Sequence, residues 1–355
     1  MKHIILKIGI VGLTILGLVA CSGGGSGKKI IGRDQFVYVL SRDDSKIHEY
    51  HLSKEGVLTA LTTPTVATGT LPSFMVMDPA QQFLYVANEY DGTVSQFKVG
   101  TDGVLSELAT AISTEDMPVH LAISPDGKFL YASSMTEPHI TRFAIGADGT
   151  LSLNGLIPYA DASLGAHFSP SGEFAYVISH YTDSISQFRL QSDGSFQALT
   201  PASVQAESCP SGPVGVTQLT QGSFLYTASC WTDLVESFAI GSDGTLNKQA
   251  TIATGVAPQG LLISGNQMFV ANAGSSDISL YSIQQDGSLV HQSPTSVSAG
   301  VAPVGMAVNA TSTFAYVVDS GADQILRFKV SSQGLVKDDT FSVVTGGYPV
   351  QILMK

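Results

Sequence analysis

Charge is scarce in this 355-residue chain, where Asp, Glu, Lys and Arg together make up 13%. What charge there is leans one way, with 17 basic against 29 acidic side chains. No basic stripe interrupts that excess, so binding to a phosphate backbone is excluded. Trp occurs once and Cys three times, with no Cys-x-x-Cys and no His pair at zinc-peptidase spacing. Transition-metal chemistry therefore has no ligand set to start from, and no metal is expected. No Gly-rich phosphate loop is present either, and no cofactor is expected. Apolar residues never recur with a sustained helical period, so a helical repeat is excluded.

What the chain has instead is Gly, 36 of them, between short apolar runs. That pattern belongs to an all-β protein with many tight turns.

The N-terminus reads separately. Lys2 and Lys7 precede an apolar core from Ile8 to Val19, and Leu18-Val19-Ala20-Cys21 follows. A charged start, a short apolar run and small residues before a cut mark an export signal. The apolar run falls short of the roughly 20 residues needed to span a bilayer. Leu-Val-Ala-Cys resembles the lipobox of bacterial lipoproteins. That resemblance implies cleavage after residue 20, lipid on Cys21 and a membrane anchor; the alternative is an ordinary secretory signal with an incidental Cys. Ser22-Gly23-Gly24-Gly25-Ser26-Gly27 reads as a flexible tether, so residues 21–34 form a linker and 35–355 the folded domain. By analogy with bacterial lipoproteins, Ser22 rather than Asp after the Cys favours the outer membrane. The expected location is the cell envelope, facing the periplasm or the cell surface.

Repeats organise the rest. One aromatic column is Tyr38, Tyr85, Tyr131, Tyr176, Tyr226, Phe269 and Tyr316. Twelve residues after each comes a second: Tyr50, Phe97, Phe143, Phe188, Phe238, Tyr281 and Phe328. Six further on stands a Gly, at 56, 103, 149, 194, 244, 287 and 334. Each copy contains four strand-like runs. In the third these are Val119–Ile123, Phe129–Ala132, Ile140–Ile145 and the run that starts at Leu151. Asp148-Gly149 is expected to close the last hairpin as a primed turn, with Gly taking the positive φ. Four strands at a period of about 40–50 residues indicate blades, hence an all-β, seven-bladed β-propeller. Inner strands begin near Pro72, Pro118, Ser163, Pro213, Pro258, Pro303 and Pro349. The first copy has no inner strand before Tyr38, and the last inner run has no blade after it. The simplest closure places Pro349–Met354 inside blade one, which removes an open sheet edge. A monomer is expected.

Cys209 and Cys230 fall at the same end of one hairpin, and an oxidising compartment would join them in a disulfide; two free or buried thiols are the other option. That end also gathers Glu89-Tyr90, His180-Tyr181 and Cys230-Trp231, at one equivalent loop position in three blades. In a propeller these loops surround the channel mouth. Tyr90, Tyr181 and Trp231, with Gln259 at the start of an inner strand, are candidate ligand contacts, since exposed aromatics stack on sugars or side chains. Packing over hairpin ends is the alternative for the aromatics. His120 is the candidate proton carrier, with Glu89 or His180 assisting, or else a structural histidine. Acids recur before the third strand at Asp44, Asp91, Glu137, Asp183, Asp233, Asp277 and Asp323. They are expected to bond their own backbone at a turn.

Phe83-Leu84-Tyr85-Val86-Ala87-Asn88 and Ser124-Pro125-Asp126-Gly127 resemble the repeats of the lactonase and YVTN-type propellers, a group that includes 6-phosphogluconolactonase and a muconate-lactonising enzyme. The resemblance covers about residues 36–355. It implies a His, a Glu and two Arg at the channel mouth. Aligned by the repeat columns, the His falls at Leu164, the Arg at Val214 and Val304, and the Glu near Cys230, so none of the four types is kept. His120 does match a His found in the lactonases. Two functions follow. The first is an envelope-anchored propeller that binds a small molecule, a glycan or an envelope protein at its mouth. The second is a lactone hydrolase working outside the cytoplasm.

Overall fold

The computed structural model describes residues 35–114, 117–134, 136–159, 163–179, 182–206, 219–221 and 223–355. Seven four-stranded antiparallel sheets stand in a ring. Blade one runs from its inner strand Pro349–Met354 through Gln35–Ser41 and Lys46–Leu52 to Leu58–Ala67 at the outside. The C-terminal strand thus closes the ring, pairing Tyr38 with Leu353 and Val39 with Ile352. Inner strands of blades two to four are Pro72–Met77, Pro118–Ile123 and Ser163–Phe168. Those of blades six and seven are Pro258–Ser264 and Pro303–Val308. In blade five the inner strand is described over Leu219–Gln221 only, so Pro213 and Val214 lie outside the described residues.

Both aromatic columns are core. The twelve largest fully buried side chains all belong to them. The first column also fastens each blade to the next. Hydroxyls of Tyr38, Tyr85, Tyr131, Tyr176 and Tyr316 donate to the carbonyls of Gly103, Gly149, Gly194, Gly244 and Gly56, at 2.6–2.9 Å. Each acceptor is the repeat Gly of the following blade, and Gly56 brings the sequence of bonds back to blade one.

These Gly have φ from +79° to +99°, a conformation other residues rarely adopt. They are also overlain by the blade before: a Cβ on Gly149 would sit 2.3 Å from the Phe83 ring. The hairpin differs from the primed turn expected. Gly149 N donates to Gly146 O, and Gly146 N to Thr150 O. That is a three-residue loop, in which only the last position needs positive φ. Asp148 supports it by accepting from the Thr150 amide at 3.1 Å.

Candidate functional site

Antiparallel connectivity puts the turn between second and third strands on the same rim as the start of each inner strand. Hydrogen bonds join the two. Arg42 N donates to Tyr348 O, Glu89 N to Leu71 O and Ala273 N to Ala257 O. Three of the recurring acids work here, bonding the incoming chain where a bond to their own turn was expected. Asp91 accepts from the Thr70 amide, Asp233 from Ala257 and Asp323 from Tyr348, each at 2.6–2.8 Å. They hold the incoming chain because its amides, just before an inner strand, have no ladder partner. Among the described residues no three His, Cys, Asp or Glu side chains are grouped to hold a metal.

Tyr90 and Trp231 both project from this rim, 73% and 66% exposed, and Tyr348 joins them at 46%. Gln259 is half-buried on the inner strand of blade six. His180, Tyr181, Cys209 and Cys21 lie outside the described residues. Cys230 is half-buried beside Trp231.

Glu89 and His120 keep different company. Glu89 is ion-paired with Arg42 of blade one at 2.7 Å, so its carboxylate already has a cation. His120 is buried on the inner strand of blade three, its ring 4.0 Å from that of Phe74 in blade two and 4.9 Å from that of His167 in blade four. Gly165 makes room for it: a Cβ there would stand 2.9 Å from the imidazole. Burial, with His167 alongside, holds His120 well below the ordinary histidine value. Burial alone takes His167 to about 3. Both rings are therefore neutral at neutral pH. Nδ1 of His120 and Nε2 of His167 are buried with no hydrogen-bond partner among the described residues.

Phe74, His167 and the Arg42 side of the ion pair are absent from the sequence-based site. They sit in separate copies of the repeat, tens of residues apart, and only the ring of blades brings them together. Gln351, two residues into the closing strand, was also missed. It holds the same strand position as Phe74 and His120, and its Oε1 accepts from the Met75 amide at 2.6 Å. Of the positions aligned with the lactonase His and Arg, Leu164 and Val304 are buried apolar side chains, 7% and 6% exposed.

Comparison with known proteins gives one consistent answer. Residues 34–162 and 165–306 match the family described as lactonase, 7-bladed beta-propeller. Among solved structures, a periplasmic gluconolactonase from Pseudomonas aeruginosa superposes with a TM-score of 0.76 at 20% identity, covering 90% of this chain and 98% of that one. A protein from Lactobacillus plantarum gives 0.76 at 15% identity, covering 91% and 99%. A Bacteroides uniformis protein described as a candidate 6-phosphogluconolactonase gives 0.79 at 18%, covering 91% and 99%. No match was found among curated proteins. At these identities the structural likeness speaks for the fold alone. With the family match spanning well over half the residues, the chain belongs to the lactonase family of seven-bladed β-propellers.

Proposed function

We propose that this lactonase-family propeller is a binding module of the cell envelope, lipid-anchored through Cys21 and receiving a small molecule, a glycan or an envelope protein on the rim of Tyr90, Trp231 and Tyr348. The observation that carries the reading is the apolar character of Leu164 and Val304, the positions where the family resemblance implies a histidine and an arginine. Among the described residues the rim's other candidates are engaged or weak. Arg42 is committed to Glu89, and a histidine held far below neutral is a weak base at pH 7. A disulfide between Cys209 and Cys230 belongs to this reading, as does an extracytoplasmic location. The periplasmic gluconolactonase among the structural neighbours agrees with the latter.

Lactone hydrolysis is the second reading. It is favoured by His120, which is neutral, without a partner at Nδ1 among the described residues, and on the channel-lining strand. One experiment separates the two. The purified chain is given a panel of neutral sugars, peptidoglycan fragments and lactones, with melting temperature and lactone turnover both recorded. A ligand that binds only the native state raises the melting temperature, by about 2.7 kcal/mol of stability at a hundredfold excess over Kd. Binding predicts such a rise, reduced at least tenfold in affinity by Trp231→Ala, with no turnover. Turnover abolished by His120→Ala would overturn it.

A further inference from the structure

The position just before the second aromatic column carries a repeated hydrogen bond between blades. Gln96 Oε1 of blade two accepts from the Leu151 amide of blade three at 2.7 Å. Gln187 Oε1 of blade four accepts from the Leu246 amide of blade five. In both cases the side-chain NH2 donates back to a carbonyl of its own outer strand, Thr110 at 2.9 Å and Pro201 at 3.1 Å. Each amide is thus used at both ends.

Blade one has Glu49 in this place. Its Oε2 accepts from the Leu105 amide of blade two at 2.9 Å, as the two Gln do. Its Oε1 is buried and has no hydrogen-bond partner among the described residues. The pairing that brackets Gln187, Ser186 with Ser203 and Phe188 with Ala198, is reproduced around Glu49 by His48 with Thr65 and Tyr50 with Ala60. In that register the carbonyl equivalent to Pro201 is that of Thr63. A carboxylate has nothing to offer a carbonyl, whereas a carboxylic acid has one O–H to donate.

We infer that Glu49 is a proton-held clasp: its carboxyl is protonated in the closed ring, stands in for the glutamine of blades two and four, and loosens the seam between blades one and two when the proton leaves. Among the described residues no cation acts on this carboxyl to hold an anion there. The titratable groups around the seam are Tyr38 on the neighbouring strand, Asp102 in the hairpin of blade two and Lys355 at the chain end. Asp102 opposes ionisation of Glu49. Tyr38 is neutral and already bonded to Gly103. Lys355 is held by Asp78 and Asp102, which favour its charge, and donates to Gly100 O. The outer strand Leu58–Ala67 has no titratable side chain. Burial is the main effect and raises Glu49 from 4.5 to about 7.

The sign follows from the proton balance. Between 4.5 and about 7 the native state binds a proton that the unfolded chain does not. The clasp's contribution is complete below about 4.5 and disappears as pH rises to about 7.

The test compares the full chain with Glu49→Gln by chemical denaturation in mild detergent across this range. The ratio of the wild-type folding constant to that of Glu49→Gln should be level below about pH 4.5, then fall by up to tenfold per pH unit, and level again above about 7. A ratio that stays constant from about pH 4.5 to 8 would overturn the inference. So would a Glu49→Gln chain less stable than wild type at about pH 8. Should that variant fail to fold, the wild-type chain still decides the matter. A protonated-carboxyl infrared band should be present near pH 5 and lost above about 8, and its absence near pH 5 would end the proposal.

Discussion

Tyr131 and Tyr226 occupy the same place in blades three and five and differ by one hydrogen bond. Tyr131 donates to Gly194 O at 2.9 Å, whereas the Tyr226 hydroxyl is buried with no partner among the described residues. A made hydrogen bond is worth about 1 kcal/mol net, and an unmade buried one costs about 1–3. Tyr131→Phe should therefore lower stability by about 1–2 kcal/mol. Tyr226→Phe should leave it unchanged or raise it. Denaturant midpoints of the two variants give the comparison, and equal losses would show that the hydroxyls are not what matters. Blade six already has Phe269 in this column, fully buried. The spacing of the columns could be read from the chain. The Tyr-to-Gly bond between adjacent blades could not, because its partners are 63–68 residues apart in four of the five cases.

Among elements, the closing strand Pro349–Met354 holds most at stake. Val350 and Leu353 pack with Tyr38, Leu40 and Met75, while Ile352 packs with Val37, Val39 and Val304. One short strand therefore serves blades one, two and seven. Burying each of these three side chains is worth about 1.5–3 kcal/mol, against about 5–15 for a whole domain. Deleting Val350–Lys355 should release blade one. Hydrogen exchange would show it as lost protection at the amides of Val37–Leu40, and retained protection would contradict the closure. This element was legible in advance, since an inner strand without a blade and a blade without an inner strand have one economical solution. The hairpin geometry was not. Asp-Gly suits two loop types, and the choice rests on whether Gly146 pairs with Thr150.

The molecule as a whole has two rims, and the proposed function gives them different tasks. The described residues begin at Gln35, which pairs with Leu52, while Phe36 exchanges hydrogen bonds with Lys355. That end is opposite the rim of Tyr90, Trp231 and Tyr348. On the proposed anchoring through Cys21, the rim proposed to bind would point away from the attachment. Trp231 is the only Trp in the chain, so its fluorescence reports this rim alone. With the lipidated chain on vesicles, aqueous iodide should quench Trp231 and brominated lipid should not. Quenching by the lipid would place the rim against the bilayer and overturn this orientation.

Period, turn residues and alternation determine seven blades and their closure, because each blade is a local pattern repeated. They also locate the rim where Tyr90 and Trp231 emerge, since antiparallel order alone decides which turns share a face. Only the packed ring decides what those side chains meet. It sets His120 between Phe74 and His167, ties Glu89 to Arg42, and buries Glu49 at a seam where blades two and four have glutamines. One signal for the last was available, as Glu49, Gln96 and Gln187 share a column. Its meaning was hidden, because desolvation and the neighbouring blade's amide exist only once distant repeats stand side by side.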